Sequence, residues 1–333
     1  MITEQQVRDQ LDKCFTEARF PEWADCYSQG KVRDIYVPPG HGRRILITTD
    51  RVSAFDRVLG TIPFKGQTLN KITTHAFDQT LDIAPNHILS IRHPNVMVVT
   101  ELDMLPVEVV VRGYLTGSTS TSVLPRYERG ERYMYGYAWP DGLTAHQSLV
   151  DAFGGPIITP TTKHEAHDRP LTVDSVVTEG FVDAATWARV MDIALRLFKR
   201  GQELAAYHGL ILADTKYEMG RDKKGQIVLA DEIHTPDSSR FWIAGTYDDR
   251  LANNKTPDSL DKEFLRLWLK ERGIGKDTEN IPPLDDDLRV DVAKRYMELC
   301  QRLTGKTFEP VIDEGDPLAA IRESIAPYMT AAT

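Results

Sequence analysis

The sequence predicts an α+β fold with a strand-rich N-terminal lobe and a mixed, helix-rich C-terminal lobe. Short segments rich in Val and Ile dominate the first third of the chain, and amphipathic segments dominate the last third. An apolar hairpin that carries several charges lies between them. Because 333 residues suffice for two domains of ordinary size, we expect two lobes, 1–115 and 116–333.

Strands dominate the predicted N-terminal lobe. A helix is predicted at its start, where Thr3 and Gln6 have the spacing of a capping box, and a second helix over Asn70–Gln79. The predicted strands are bounded mostly by Gly, Pro or Asp. They are Lys31–Val37, Arg44–Thr49, His87–Ile91, Asn95–Glu101 and Val107–Val111.

The predicted C-terminal lobe begins with a long irregular region, 116–170, rich in Gly, Pro, Ser and Thr. Such long loops are uncommon in compact domains unless they carry function. The helices predicted after it have apolar residues at helical spacing. They are Ala184–His208, a helix beginning at Thr256, Leu288–Thr304 and Pro317–Ile325.

A hairpin of strands Leu210–Gly220 and Ile227–Ile233 is the most informative segment. Strand alternation places Asp214, Lys216 and Glu218 on one face. If the turn is 222–225, Asp231 lies opposite Lys216. Three carboxylates and an ammonium group suit Mg²⁺ with phosphate oxygens, and acids beside wholly apolar strand segments are costly unless paired. A strand face covered with salt bridges is the alternative.

Two further segments combine basic residues with flexible backbone. Gly30 precedes Lys31 and Arg33, a pattern compatible with phosphate binding but also with a plain turn into an edge strand, the simpler interpretation. Arg112 leads into a loop, 113–119, that is rich in hydroxyls and backbone donors. This loop is either a second phosphate site or a flexible polar segment.

Several classes of function are disfavoured. A net charge of −9 argues against a broad nucleic-acid surface, and no apolar run approaches the ~20 residues that span a bilayer. P-loop, dinucleotide-binding, α/β-hydrolase and protein-kinase motifs are missing. The three cysteines lack metal-type spacing and the N-terminus lacks a signal-peptide core, so we expect a cytoplasmic protein.

Several motifs in order, from residue 30 to residue 240, resemble those of the SAICAR synthetase family. They are Gly30–Asp34, Thr49–Asp56, Val109–Tyr114 with Gly117 and Ser118, Pro160–Lys163, Asp214–Glu218, Asp231–Ile233 and Pro236–Arg240. The resemblance implies a two-lobed fold related to ATP-grasp enzymes. It also implies a reaction: L-aspartate is ligated to the carboxylate of the ribotide CAIR, and ATP is converted to ADP and phosphate.

The resemblance also implies roles for individual residues. Lys216, Lys163 and Asp214 are the expected catalytic residues, and Glu218 with Asp231 would hold Mg²⁺. The other expected sites are Gly30, Lys31 and Arg33 for ATP, Arg112, Ser118 and Arg240 for the ribotide phosphate, and Ser53 and Asp56 for aspartate. The expected partners are therefore ATP, CAIR and L-aspartate, with no nucleic acid or membrane, and the oligomeric state stays open.

Two rival functions remain at this point. A small-molecule kinase on a similar scaffold would share the Lys31 strand and the acids Glu218 and Asp231, but would not need aspartate. A non-catalytic nucleotide-binding module would bind Mg-ATP without turnover. A second anion site, at Arg112, Ser118 and Arg240, distinguishes the ligase from both.

Overall fold

The computed structural model describes residues 2–55, 57–119, 122–163, 168–275, 278–312 and 316–329. The chain forms two compact units, and each contains stretches that are distant in sequence. Unit 1 comprises Met1–His75, His87–Leu102 and Phe264–Thr333, and unit 2 comprises Ala76–Asn86 and Asp103–Glu263. The sequence predicts a single boundary near residue 115. The two units are not divided at one boundary, because strands that are distant in sequence pair within each unit.

The strands follow one another along the chain as β1 to β15. They are β1 (Tyr27–Gln29), β2 (Arg33–Tyr36), β3 (Arg43–Thr48), β4 (Arg51–Ala54), β5 (Arg57–Thr61), β6 (Ile88–His93), β7 (Val96–Thr100), β8 (Asp103–Met104), β9 (Val107–Arg112), β10 (Tyr133–Met134), β11 (Tyr137–Ala138), β12 (Ile157–Thr162), β13 (Leu210–Arg221), β14 (Ile227–Ala230) and β15 (Ser239–Ile243). The five strands predicted in the first lobe are therefore confirmed, with ends that differ by at most two residues.

The helices are α1 (Glu4–Arg8), α2 (Lys65–Asp78), α3 (Val123–Glu128), α4 (Val150–Phe153), α5 (Ser175–Thr178), α6 (Ala184–Tyr207), α7 (Ala244–Ala252), α8 (Glu263–Glu271), α9 (Asp286–Thr304) and α10 (Pro317–Met329). Two 3₁₀ segments, Leu11–Lys13 and Pro21–Cys26, lie near the N-terminus. Within the described ranges, no helix is long and apolar enough to cross a membrane.

Unit 1 is built on an antiparallel sheet of order β1-β2-β3-β7-β6. Alternation in its central strands separates two apolar faces. Ile45 and Ile47 belong to a buried cluster that includes Ile321 of α10, whereas Leu46 packs with Met97 on the opposite face.

Unit 2 is built around β13, which pairs with β9, β15, β14 and β8 along its length. β12 extends the sheet beyond β9. Helix α6 packs on β13 and β9, and Asp183 caps its start by accepting a hydrogen bond from the Thr186 N–H. Because β13 lies at the centre of these pairings, it fixes the positions of side chains from four other strands.

The predicted helix start at Thr256 is wrong, because α8 begins only at Glu263. The preceding segment instead runs beside β15: the Ile243 N–H donates to the Asp258 carbonyl, and the Leu260 N–H donates to the Phe241 carbonyl.

The predicted irregular region 116–170 contains α3, β10, β11, α4 and β12. An apolar cluster orders part of it, because Leu115 and Ile157 pack with Trp139.

Candidate active site

The hairpin prediction is confirmed in outline and corrected in register. Glu218 pairs with Ala230 and Arg221 with Ile227, one residue away from the predicted alignment. The ladder ends at Ala230, and Asp231 adopts a left-handed conformation with φ 59°. Asp231 is therefore not opposite Lys216 in a ladder, because the turn has one residue more than expected and its Asp222 N–H donates to the Gln226 carbonyl.

A lysine–glutamate cluster, formed by Glu108, Lys163, Lys216 and Glu218, lies on one face of β13 and β9. Lys216 Nζ is 2.8 Å from Glu108 Oε1 and 2.6 Å from Glu218 Oε1. Lys163 forms an ion pair with the second carboxylate oxygen of Glu218. Glu218 is almost completely buried, so its charge is compensated by two ammonium groups rather than by water.

The electrostatics of the two lysines differ. Burial, together with the nearby charge of Lys216, lowers the pKa of Lys163. Burial also disfavours the charged form of Lys216. The negative charges of Glu108 and Asp231 outweigh the effect of burial and raise the pKa of Lys216. The cluster therefore holds concentrated positive charge beside carboxylates, an arrangement that suits phosphate oxygens and a cation together.

A second group of charged side chains lies nearer the start of β13. This arginine–carboxylate cluster is formed by Arg112, Asp214, Arg240 and Glu263. Asp214 Oδ2 is 2.7 Å from Arg112 Nη1 and 2.6 Å from Arg240 Nη1. Arg240 Nη2 is 3.2 Å from Glu263 Oε2. Although burial disfavours its charge, Asp214 and Glu263 raise the pKa of Arg240, which stays cationic.

The loop after Arg112 passes close to this cluster. A Cβ added at Gly117 would collide with Ser122 and would lie 3.7 Å from Arg240 Nη2. Gly117 also has φ 120°, which L side chains rarely adopt. Only glycine therefore fits where this backbone packs against Ser122 beside Arg240, and half-buried Ser118 follows directly.

In unit 1, Arg51 organises the turn that carries the predicted ATP residues. Its guanidinium donates to the carbonyls of Gly30 and Lys31 at 2.9 and 3.2 Å. It also pairs with fully buried Asp34 at 2.9 Å. The Gly30 N–H donates to the Arg33 carbonyl, so Gly30, exposed Lys31 and buried Arg33 share one tight turn at the start of β2.

Of the two residues predicted to bind aspartate, Ser53 lies buried in β4 of unit 1, where it pairs with Val58 of β5. Asp56 lies outside the described residues. Most of the predicted unit 2 residues lie in the two clusters, and Asp231 is close enough to influence Lys163 and Lys216. The ATP candidates and Ser53 belong to unit 1.

Three residues of these arrangements received no predicted role. Glu108 has even spacing with Arg112 on β9, a pattern that could have identified it as a partner for Lys216. Glu263 lies too far from Arg240 in sequence for any pattern to connect them. Arg51 donates hydrogen bonds to backbone carbonyls, which every residue has, so no sequence pattern identifies its partners.

Comparisons with known proteins show which family this chain resembles. The profile of the SAICAR synthetase family matches residues 26–281. A phosphoribosylaminoimidazole-succinocarboxamide synthase of Legionella pneumophila is 46% identical over 295 residues, covering 89% of this chain and 92% of the relative. A chloroplastic synthase of Arabidopsis thaliana is 42% identical over 315 residues, covering 94% and 75%. The solved SAICAR synthase of Saccharomyces cerevisiae, complexed with SAICAR, has a TM-score of 0.74 and 29% identity, covering 89% of this chain and all of that one.

The fold and these similarities define an ATP-dependent ligase that forms an amide bond. The chain belongs to the SAICAR synthetase family. Its reaction, a step of de novo purine biosynthesis, joins L-aspartate to the carboxylate of CAIR and gives SAICAR, ADP and phosphate.

Proposed function

We propose that the two clusters on β13 bind opposite ends of the ribotide, so that its phosphate and its reacting carboxylate are held at the same time. One observation carries this proposal: Asp214 and Glu218 lie four residues apart on one face of a single strand. At ~3.3 Å per residue the separation is ~13 Å. Two sites at this distance, each with two cationic side chains, suit an extended substrate with an anion at each end.

Arg112, Arg240 and Ser118 would bind the ribotide phosphate. Each guanidinium presents a planar set of donors that matches phosphate oxygens, and Asp214 fixes both in position. Asp214 would also contact the ribose or the base. Because this anion site is separate from the lysine–glutamate cluster, it supports a ribotide substrate in addition to ATP.

Mg²⁺ is part of the proposal, with Glu218 and Asp231 as its ligands. Carboxylate oxygens are the donors Mg²⁺ prefers, and Asp231 directly follows Ala230, the ladder partner of Glu218. Over the described ranges, no group of three or more His, Cys, Asp and Glu residues forms a metal site. Two protein carboxylates fit an ion that also binds substrate phosphates, and Mg²⁺ would supply charge to neutralise those phosphates.

The chemistry then divides into two displacements. A carboxylate oxygen of CAIR attacks the γ-phosphorus of ATP, and ADP leaves. The aspartate amine next attacks the acyl carbon, phosphate leaves, and the amine loses a proton. Lys163 and Lys216 would neutralise the charge that develops on the transferred phosphoryl group, since both ammonium groups adjoin Glu218.

Gly30, Lys31 and Arg33 are proposed to cover the ATP phosphates. Support comes from the tight turn that Arg51 holds through two carbonyl groups. Ser53 and Asp56 remain the proposed residues for orienting aspartate. A cytoplasmic location is also proposed, supported by the three free cysteines, which suit a reducing compartment.

The decisive experiment measures ADP release with Mg-ATP when CAIR and L-aspartate are added singly and together. We expect ADP and a new amide only when both are present. The variant Glu218→Gln should lower kcat at least a hundredfold, whereas Ser118→Ala should raise the KM for CAIR and leave kcat nearly unchanged.

Glu203→Gln is the matched control, because Glu203 is an exposed acid on α6 away from both clusters. It should retain the activity of the parent. ADP release without aspartate would contradict the coupled reaction. A Glu218→Gln enzyme with a kcat within threefold of the parent would contradict the role given to the lysine–glutamate cluster.

A further inference from the structure

The turn at Thr144–Gln147 is attached to the backbone that leaves Arg112. The His146 N–H donates to the Leu115 carbonyl at 2.7 Å, and the Leu115 N–H donates to the Gln147 carbonyl at 2.9 Å. The Leu149 N–H donates to the Gly113 carbonyl in the same way. Three backbone hydrogen bonds therefore hold this segment against the start of the loop that carries Gly117 and Ser118.

The imidazole of His146 contacts two residues that neighbour parts of the arginine–carboxylate site, Thr116 and Trp242. Its Nδ1 is 3.2 Å from Thr116 Oγ1, and Thr116 immediately precedes Gly117, whose backbone adjoins Arg240. Its ring also packs edge-on against Trp242, with centroids 5.7 Å apart. Trp242 follows Arg240 by two positions on β15, so both side chains point to the same face of the strand.

The chemical state of His146 suits a hydrogen-bond donor. Burial lowers the pKa of His146, and the charge of Glu263, which favours protonation, is partly offset by Arg240. When the Thr116 hydroxyl donates to Nδ1, the ring hydrogen lies on Nε2. Nε2 is then the ring atom that can donate a hydrogen bond to a ligand.

The backbone at His146 adds an independent observation. Its φ is 64°, a left-handed conformation that costs a non-glycine residue ~1–3 kcal/mol. Glycine would adopt the same conformation without this cost. The imidazole therefore has to offset this backbone cost, to which its contacts with Thr116 and Trp242 contribute.

We propose that His146 is a further ribotide-binding residue, whose Nε2–H donates a hydrogen bond to the phosphate group held by Arg112, Ser118 and Arg240. This inference rests on the proposed assignment of that cluster to the ribotide phosphate. It adds a neutral donor beside the 113–118 loop and β15, which His146 contacts through Thr116 and Trp242. A neutral donor contributes direction to a site in which the arginines supply charge.

The test uses three substitutions that separate the two ring nitrogens. His146→Asn retains a group near the position of Nδ1, His146→Gln retains a donor near the position of Nε2, and His146→Gly removes both while relieving the backbone. We expect the KM for CAIR to rise about tenfold or more in the Asn and Gly variants, as for loss of a hydrogen bond to a charged group. It should stay within about threefold of the parent in the Gln variant.

Three controls exclude a purely structural effect. The KM for ATP and the kcat at saturating CAIR should stay within about twofold of the parent in all three variants. The melting temperature of His146→Gly should stay close to that of the parent, because relief of the left-handed strain offsets the lost contacts with Thr116 and Trp242. A structural role would instead lower the melting temperature and affect the Asn, Gln and Gly variants alike.

Ser118→Ala, measured in parallel, separates this inference from the proposed function. If Ser118→Ala raises the KM for CAIR and no His146 variant does, His146 does not bind the ribotide and the cluster assignment stands. If the Gln and Gly variants raise it equally, the donor role is wrong. If neither Ser118→Ala nor any His146 variant changes the KM for CAIR, the ribotide phosphate binds elsewhere and both proposals are wrong.

Discussion

Replacing Asp214 by Asn tests whether one buried carboxylate holds both arginines in position. The side chain keeps its size, and its remaining oxygen can still accept hydrogen bonds from Arg112 and Arg240. What it loses is the negative charge that lies 2.7 and 2.6 Å from two guanidinium groups. Glu263, at 3.2 Å from Arg240, would be the only carboxylate of the cluster left to compensate them.

The expected magnitude follows from burial. Asp214 is 3% exposed, and breaking a buried ion pair by removing one charge costs ~3–5 kcal/mol. An unfolding entropy of ~2.1 cal/mol/K per residue gives ~0.7 kcal/mol per kelvin for cooperative unfolding of a chain of 333 residues. We therefore expect the melting temperature to fall by ~4–7 °C.

Scanning calorimetry at fixed pH and low salt measures this shift, with Asp192→Asn as the control at an exposed position. Inorganic phosphate should recover more of the melting temperature in Asp214→Asn than it adds to the parent, because an anion between the arginines replaces the missing charge. A fall of less than 1 °C would refute the reasoning, since it would mean that the carboxylate charge contributes no net stability.

Three further predictions concern pH, backbone and capping. Burial lowers the pKa of His234 to about 4. As pH falls, the histidine of the unfolded chain is protonated first, so the folded state loses ~3 kcal/mol of stability between about pH 6.5 and pH 4. His234→Gln, which keeps a partner for the Tyr217 hydroxyl, should flatten the dependence of melting temperature on pH in that window; an unchanged slope would refute it. Gly117→Ala should raise the KM for CAIR at least tenfold, because its methyl group would displace Ser122; unchanged kinetics would contradict the close approach. Asp285→Ala should lower the free energy of unfolding by ~0.5–2 kcal/mol in urea, since Asp285 caps α9 through the Leu288 N–H, and no change would show that the cap contributes nothing.

Local patterns in the sequence predict individual elements well where one signal dominates. Helix α9 begins at a capping Asp285 and ends at Gly305 with φ 65°, close to the predicted limits. The alternation in β13 places Asp214, Lys216 and Glu218 on one face, as predicted, because all three bond to partners on that side of the sheet.

The failures have a common physical cause, which is pairing between distant segments. The register of the β13–β14 hairpin depends on hydrogen bonds inside the turn, where one additional residue shifts every partner. The segment before α8 has helical apolar spacing, yet its backbone hydrogen bonds are taken by β15. Glu263 joins the site only because that segment brings it to Arg240. Such partners cannot be read from spacing within a single segment.

The placement of both clusters on β13 has a consequence for how the sequence can change. Insertion of one residue between Asp214 and Glu218 would turn the residues that follow to the opposite face of the sheet. The spacing of the two anion sites and the orientation of one of them would then be lost together. An insertion in the turn after Arg221 would lengthen an exposed loop and leave β13 intact. Length variation in natural sequences should accordingly be found in that turn and be missing from the strand.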